Sequence, residues 1–197
     1  MNNVMKVCTL GPESTCHDNA VKHYLEFQNI KNFEILYIDD FEDAVSLVTS
    51  GKADYIIQNC SHPQVSIICA KYRSEIFTID TFIFPAKAMG ILRSKKHHFD
   101  NKNLGLMPAT KGYINESEWD DLIIESANPR VFEGLKKGKY EYGITFVDYA
   151  KENDDLEIVE SFGEGVDSAW ILYGKQRRFS GDVVGIYQEE LFKTYRK

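Results

Sequence analysis

Apolar runs typical of buried strands alternate along this chain with segments whose apolar residues recur at helical spacing. The first run, residues 4–9, precedes a helical segment whose apolar face carries His17, Ala20, Val21 and Tyr24. Further strands are predicted at residues 33–38, 76–84, 86–92, 103–107, 122–125, 156–161 and 169–174. Because strands alternate with helices, the pattern predicts an α/β protein with mostly parallel sheets.

One structural unit occurs twice in the sequence. In each copy a predicted helix ends at a glycine, which is followed by lysine, then an acidic residue and a tyrosine that open a strand. Residues 51–57 read Gly-Lys-Ala-Asp-Tyr-Ile-Ile, and residues 138–144 read Gly-Lys-Tyr-Glu-Tyr-Gly-Ile. One such unit is ordinary in α/β proteins, but two matching copies predict a protein of two lobes.

The connections between these lobes are predicted from polar and glycine-rich stretches. The polar residues 93–102 suggest the first crossing, and the glycine-rich residues 163–165 suggest the second. Lobe one would then contain residues 1–92 plus 166–197, and lobe two residues 93–165. Lys87 and Arg93, which flank a predicted strand, are expected to be charges at the hinge, and a ligand is expected in the cleft between the lobes.

Composition narrows the classes of partner. The chain has 197 residues and a net charge of −7, which argues against nucleic acid and anionic membranes as main partners. It has no apolar run of membrane-spanning length, and its start lacks a secretory signal pattern. None of its four cysteines belongs to a Cys-x-x-Cys pair, so we expect reduced thiols in the cytoplasm and no bound metal.

The loop after the first strand is a candidate anion site. Gly11 and Pro12 predict a tight turn, and Ser14 or Thr15 is the expected N-cap of the helix that follows. Free backbone N–H groups and the helix dipole converge at such a helix start, where they favour an anionic ligand.

This loop also carries a family resemblance. Residues 9–15 read Thr-Leu-Gly-Pro-Glu-Ser-Thr, which resembles the Leu-Gly-Pro-x-Gly-Thr signature of prephenate dehydratase domains, with Ser14 at the signature's glycine. The resemblance implies a two-lobed periplasmic-binding-protein-like (type II) fold with a ligand cleft between the lobes. It also implies a small dianionic substrate of the prephenate kind and no cofactor.

Three other motifs of that family are altered here. Residues 57–62, Ile-Gln-Asn-Cys-Ser-His, stand where the family has Pro-x-Glu-Asn-Ser, and Pro108 is what remains of its Ser-His-Pro-Gln segment. Ser168, Ala169 and Trp170 replace the family's Thr-Arg-Phe, so the arginine that would hold a carboxylate is missing. Residues 169–175, Ala-Trp-Ile-Leu-Tyr-Gly-Lys, are instead similar to the closing strand of prephenate decarboxylases of the bacilysin-pathway type.

Three functions follow from this resemblance. The leading hypothesis is a cofactor-independent carbon–carbon lyase that decarboxylates prephenate or a close relative without aromatising it. Such a reaction would lead from the aromatic amino acid pathway into antibiotic biosynthesis, a form of secondary metabolism. The alternatives are a non-catalytic small-anion binding module on the same fold and a prephenate dehydratase, a carbon–oxygen lyase, in which Ser168 replaces threonine.

The candidate site residues follow from these motifs. His17 and His62 are the candidate acids because imidazole can protonate a developing carbanion near neutral pH, and Ser168 or Thr15 would orient the substrate hydroxyl. The expected substrate-binding residues are Ser14, Thr15, Asn59, Ser61, Thr110 and Lys111.

The end of the chain carries one further expectation. Residues 176–197 are too few for a regulatory domain, which needs at least ~50 residues, so none is expected. Tyr187, Leu191 and Tyr195 recur at helical spacing and predict a closing helix that packs on lobe one or forms a homodimer contact.

Overall fold

The computed structural model describes residues 4–163, 165–181 and 185. Along this part of the chain the strands are β1 (Met5–Leu10), β2 (Phe33–Ile38), β3 (Tyr55–Asn59), β4 (Phe77–Pro85), β5 (Met89–Ser94), β6 (Asn103–Leu106), β7 (Asp121–Ile124), β8 (Tyr142–Phe146), β9 (Leu156–Ser161) and β10 (Asp167–Gly174). The helices are α1 (Cys16–Phe27), α2 (Phe41–Thr49), α3 (Val65–Lys71), α4 (Asn128–Lys137) and α5 (Asp148–Lys151), with 3₁₀ turns at Pro108–Tyr113 and Glu116–Glu118. The predicted closing helix falls on Tyr187, Leu191 and Tyr195, which lie outside the described residues.

The strands form two five-stranded sheets with equivalent topologies. The strand order is β2-β1-β3-β10-β4 in the first sheet and β7-β6-β8-β5-β9 in the second. In each sheet the first three strands pair in parallel, and the last two are antiparallel to their neighbours. The α/β class is therefore confirmed, but the sheets are mixed rather than mostly parallel. The chain leaves lobe one through β4 and returns through β10, so these two neighbours run in opposite directions.

The repeated sequence unit lies at the centre of each sheet. Its strands, β3 and β8, hold the middle position, and its glycines, Gly51 and Gly138, end the preceding helices with φ of 77° and 67°. Glycine adopts this left-handed conformation without the steric cost that other residues incur. The acidic residue of each unit accepts a backbone N–H: Asp54 from Lys6 at 2.7 Å, and Glu141 from Phe99 at 3.1 Å.

The first crossing between the lobes comes earlier than the sequence suggests. β5 pairs with β8 and β9, so residues 89–92 belong to the second sheet and not to lobe one as expected. The crossing lies at residues 86–88, directly after Pro85, and the polar stretch that follows Ser94 connects β5 to β6 within lobe two. That stretch is polar because it is largely exposed, not because it links the lobes. The chain returns to the first sheet across residues 162–166.

Both faces of the first sheet are covered by helices. On the face of α1, Val21 and Leu25 pack with Ile57 and Trp170, and the Trp170 Nε1–H donates to the Phe84 carbonyl at 2.9 Å. On the opposite face α2 and α3 enclose a second apolar cluster. Within the described residues, no helix has the length and apolarity that a membrane crossing requires.

In lobe two, Tyr140 is fully buried against two glycines, and this contact generates a stability prediction. A Cβ at Gly134 would lie 2.1 Å from the Tyr140 hydroxyl, whereas a Cβ at Gly112 would meet nothing within 4 Å. Gly→Ala inside a helix normally stabilises by about 1 kcal/mol. We expect Gly134→Ala to destabilise instead, by roughly 1–3 kcal/mol, because it overpacks the core.

Urea unfolding of Gly134→Ala and of its control, Gly112→Ala, checks this expectation. An unfolding free energy for Gly134→Ala equal to or above that of the parent would show that Tyr140 moves aside at no cost.

Candidate functional site

The candidate site begins at the loop between β1 and α1, at the carboxyl end of a central parallel strand. Ser14 lies in this loop with φ of 68°, a left-handed conformation that costs a non-glycine residue roughly 1–2 kcal/mol. The related signature of prephenate dehydratases has glycine at this position. Glycine would adopt this φ without that cost, so the left-handed geometry at Ser14 fits a position where glycine is favoured.

A buried carboxylate, which the sequence analysis did not single out, holds the loop in place. Asp18 is 1% exposed, and its Oδ2 accepts the Ser14 N–H at 2.8 Å and the Lys22 Nζ at 3.0 Å. Its Oδ1 accepts the Tyr37 hydroxyl at 2.7 Å. Burial and this hydrogen bond raise the pKa of Tyr37, so the phenol stays protonated and donates.

Thr15 is the N-cap of α1, and its Oγ1 accepts the Asp18 N–H at 3.3 Å. Thr15 and Asp18 therefore form a variant of the capping box, in which the carboxylate bonds to the residue before the cap. The Ser14 N–H, predicted as a donor to a ligand anion, is occupied by Asp18. The chain itself supplies one anion to this helix start.

The two predicted catalytic histidines, His17 and His62, meet beside this loop. His17 lies in the first turn of α1 and His62 follows β3, and their ring centroids are 6.3 Å apart. The Trp170 ring lies 5.1 Å from His17, and the Phe41 ring lies 5.9 Å from His17 and 5.0 Å from His62. We call these four side chains the imidazole cluster. Phe41 and Trp170 were not predicted as site residues because aromatic positions with apolar neighbours indicate a core.

Burial disfavours the charged forms of both histidines in the imidazole cluster. Desolvation, with a smaller contribution from His62, lowers the pKa of His17 to about 3. Desolvation also lowers the pKa of His62, although the nearby Asp40 opposes this shift. His17 Nε2 is buried and has no hydrogen-bond partner in the described part of the chain. Desolvation thus disfavours the imidazolium form of His17, and its role as the proton donor stays a prediction.

Asn59 and Ser61 form the turn that presents His62. Asn59 Oδ1 accepts the Ser61 backbone N–H at 2.9 Å and the Ser61 hydroxyl at 2.5 Å. The His62 N–H donates to the Asn59 carbonyl at 3.1 Å. Their polar groups thus support the position of His62, while a direct contact of Asn59 or Ser61 with substrate stays a prediction.

Ser168 lies on β10, two residues before Trp170 and opposite Phe84. Its hydroxyl donates to the Val166 carbonyl at 3.4 Å. Alternation along the strand puts Ser168 on the same face of the sheet as Trp170. The structure therefore places Ser168 beside the imidazole cluster at the end of β10 that joins the second crossing, and its role in orienting a hydroxyl stays a prediction.

The two candidates from lobe two lie in the 3₁₀ turn after β6. Thr110 is buried, and its hydroxyl donates to the Met107 carbonyl at 2.8 Å. Lys111 forms an ion pair with Glu116 at 3.2 Å on the surface. Because β6 occupies the place in the second sheet that β1 holds in the first, this turn is the counterpart of the Ser14 loop. Its side chains, however, are engaged within their own turn.

Lys87 contacts the candidate site, which its position in the sequence did not indicate. As expected, it lies at the hinge, in the first crossing. Its Nζ donates to the Ser14 carbonyl at 3.0 Å, and its backbone N–H donates to the Cys16 Sγ at 3.4 Å. Arg93, the other expected hinge charge, lies on β5 and pairs with Glu157 at 3.2 Å, so it belongs to lobe two alone.

Two cavities lie elsewhere on lobe one. One, of about 380 Å³, is lined by Ile68, Cys69 and Tyr173 among others. The other, of about 410 Å³, is lined by residues around Asp54 and Gly174. Among the described residues that line them, none belongs to the imidazole cluster. Neither of these two cavities marks the candidate site, which is identified by its chemistry and its place at the strand ends.

No family model and no curated protein sequence matches this chain. Its fold is similar to a prephenate dehydratase in complex with L-Phe from Arthrobacter aurescens, at 14% identity and a TM-score of 0.62, over 91% of this chain and 63% of that one. It is also similar to the prephenate dehydratase from Staphylococcus aureus subsp. aureus Mu50, at 11% identity and a TM-score of 0.57, over 89% and 68%. The Bordetella pertussis BvgS periplasmic VFT2 domain matches at 13% identity and a TM-score of 0.51, over 87% and 80%.

These similarities concern the fold. The chain spans less than two thirds of the Arthrobacter protein. A sequence identity this low shows a shared fold but not a shared activity. They confirm the predicted two-lobed, periplasmic-binding-protein-like (type II) fold.

The low pKa of His17 predicts how stability depends on pH. The pKa of His17 is about 3 in the folded protein, and we take 6.5 for the unfolded chain. As the pH falls below 6.5, the unfolded chain takes up a proton that the folded protein does not, so folding becomes less favourable. Between pH 7 and pH 5 we expect the parent to lose roughly 2 kcal/mol more unfolding free energy than His17→Phe.

Urea unfolding of both proteins at each pH measures this difference. His23→Phe is the control, because His23 is an exposed histidine on the same helix. Parallel pH profiles of the parent and His17→Phe would show that His17 is solvated.

The contacts of Asp18 predict a cost for neutralising it. Asp18→Asn replaces one acceptor oxygen by a donor that must face the Ser14 N–H, Lys22 or Tyr37. We expect a loss of roughly 1.5–3 kcal/mol in unfolding free energy, the range for hydrogen bonds to charged groups. Asp43→Asn, at an exposed acid in the first turn of α2, is the matched control. Equal, small losses for both variants would show that the loop does not depend on the carboxylate.

Proposed function

We propose that this chain is a cofactor-independent lyase that binds prephenate, or a close relative, in the cleft between the lobes and removes its ring carboxylate as carbon dioxide. The observation that carries the proposal is the imidazole cluster, in which two uncharged histidines meet two aromatic rings at the carboxyl ends of the strands. The prephenate dehydratases among the structural neighbours, together with the Ser14 loop motif, support the choice of substrate class.

An uncharged aromatic environment favours decarboxylation. A carboxylate concentrates its charge on two oxygens, and burying it without a cation is costly. As the bond from the ring carbon to the carboxylate breaks, its electron pair spreads into the diene of the ring, and the charge disperses. A pocket of neutral rings raises the energy of the bound carboxylate more than that of the dispersed transition state, which lowers the barrier.

The same groups are poorly suited to dehydration. Loss of the ring hydroxyl requires an acid that protonates it as it leaves. His17 is not that acid at pH 7, since its pKa is about 3, and His62, the other candidate acid, is assigned in this proposal to the diene. Ala169 stands where the resembling family carries its arginine, so a carboxylate there would have no guanidinium to hold it. We therefore favour a product that keeps its hydroxyl and stays non-aromatic over phenylpyruvate.

In this proposal His62 supplies the proton that the diene takes up after carbon dioxide leaves. Burial lowers the pKa of His62, but the nearby Asp40 opposes this shift, and no such carboxylate opposes the shift of His17. His17 would shape the neutral pocket, while Thr15 and Ser168 would orient the hydroxyl that is retained. Ser14, Asn59 and Ser61 would line lobe one, and Thr110 and Lys111 would approach from lobe two.

A non-catalytic small-anion binding module is the second candidate. The observation in its favour is that Asp18 occupies the Ser14 N–H, which leaves fewer donors for a transition state than the sequence predicted. Turnover distinguishes the two candidates.

Incubating the purified chain with prephenate, without added metal or nucleotide, tests the proposal. We expect release of carbon dioxide and a product whose mass is lower by that molecule and whose absorbance is not aromatic. Removing a general acid typically slows catalysis ~10²–10⁴-fold, so His62→Asn should reduce turnover by that order. His23→Asn, at an exposed histidine, should leave turnover unchanged.

A protein-free blank corrects for spontaneous decay of the substrate. Formation of phenylpyruvate above the blank would assign the chain as a dehydratase. Binding without any turnover would assign it as a binding module.

A further inference from the structure

We propose that Lys87 is the anchor for one carboxylate of the ligand, and that it binds this group where the two lobes join. The inference rests on the proposed function only for the identity of the ligand. Lys87 lies in the first crossing, residues 86–88, whose backbone is fixed on both sides. The Ala86 N–H donates to the Val166 carbonyl of the second crossing at 2.9 Å, and the Val147 N–H of lobe two donates to the Ala88 carbonyl at 3.1 Å.

The Lys87 side chain touches both lobes. In lobe one its Nζ donates to the Ser14 carbonyl at 3.0 Å. From lobe two the Phe146 ring faces the same atom, with its centroid at 5.2 Å. Phe146 is the last residue of β8, and Ser14 follows β1, so the ammonium lies at the carboxyl ends of parallel strands from both sheets. Ligands of α/β proteins bind at such strand ends.

The charge of Lys87 has no carboxylate partner within the described residues. Other lysines near this region are paired: Lys22 with Asp18 at 3.0 Å, and Lys111 with Glu116 at 3.2 Å. An ammonium has three N–H donors, and a carbonyl and a ring face use only part of that capacity. A ligand carboxylate would therefore add a charge-assisted hydrogen bond to an ammonium that has no carboxylate partner among the described residues.

Lys87 also lies close in space to the imidazole cluster, although it is distant from it in sequence. Its backbone N–H bonds to the sulfur of Cys16, the residue next to His17. A dicarboxylate in the cleft would therefore meet two different environments, a cation at one end and neutral rings at the other. The carboxylate on the side chain of a prephenate-like ligand would bind Lys87 and stay. The ring carboxylate would face His17 and His62 and be expelled.

Calorimetric binding to Lys87→Met, Lys87→Arg and a matched control tests this inference. Lys95→Met is the control because Lys95 also donates to a backbone carbonyl, that of Asp154 at 2.9 Å, and is exposed in lobe two. The ligands are prephenate, phenylpyruvate, which lacks the ring carboxylate, and succinate, a dicarboxylate without a ring. Unfolding of each free variant separates loss of binding from loss of folding.

For Lys87→Met we expect roughly 10- to 100-fold weaker binding of both prephenate and phenylpyruvate, the range for a lost charge-assisted hydrogen bond. If the affinities for prephenate and phenylpyruvate fall by the same factor, the side-chain carboxylate that both ligands share is the anchored group. Lys87→Arg should restore most of the affinity because it keeps the charge, and Lys95→Met should bind as the parent does.

The outcomes separate this inference from the proposed function. If the parent binds prephenate and Lys87→Met binds it equally well, the anchor is wrong and the proposed function is untouched. If phenylpyruvate or succinate binds through Lys87 while prephenate is neither bound nor converted, the anchor stands and the proposed function is wrong. If the parent binds none of the three ligands, both are wrong.

Discussion

The buried carboxylate of Asp18 is the constraint on which the rest of the site depends. It joins the loop before α1, the helix itself and β2 through its bonds to the Ser14 N–H, Lys22 and Tyr37. Because Ser14 is held in a left-handed conformation, the loop needs a fixed acceptor to keep it there. Between Ser14 and Asp18 lies Thr15, the N-cap at which α1 begins, and His17 follows in the first turn. An internal anion therefore builds the site that the sequence alone suggests as a site for an external one.

Charge is unevenly distributed around the cleft, and this asymmetry shapes the proposed chemistry. Burial disfavours a charge on His17 beside two aromatic rings, whereas Lys87, in the first crossing, has no carboxylate partner among the described residues. A site with a cation at each end would stabilise both carboxylates of the bound substrate, and it would not lower the barrier to decarboxylation. A site with a single cation holds the molecule by one carboxylate and leaves the other in surroundings that favour its loss.

The fold explains how such a site can differ from those of its structural neighbours without a change of architecture. Each lobe repeats one sheet order, and each places its loops at the carboxyl ends of the parallel strands. The scaffold therefore brings the loops after β1, β3 and β6 towards the same cleft whatever residues they carry. At 14% identity to a prephenate dehydratase the fold is shared, and a shared fold does not fix the chemistry of the groups at the strand ends.

The sequence by itself determined the α/β pattern, the duplicated unit and the pairing of His17 and His62 as candidates, because these depend on local periodicity and on motifs at strand ends. It could not determine which sheet β5 joins, since that depends on pairing with β8 and β9 far along the chain. Nor could it show that His17 is neutral, because that follows from burial by Phe41 and Trp170, distant in sequence. The contact of Lys87 with Ser14 spans 73 residues, so only the tertiary structure decided it.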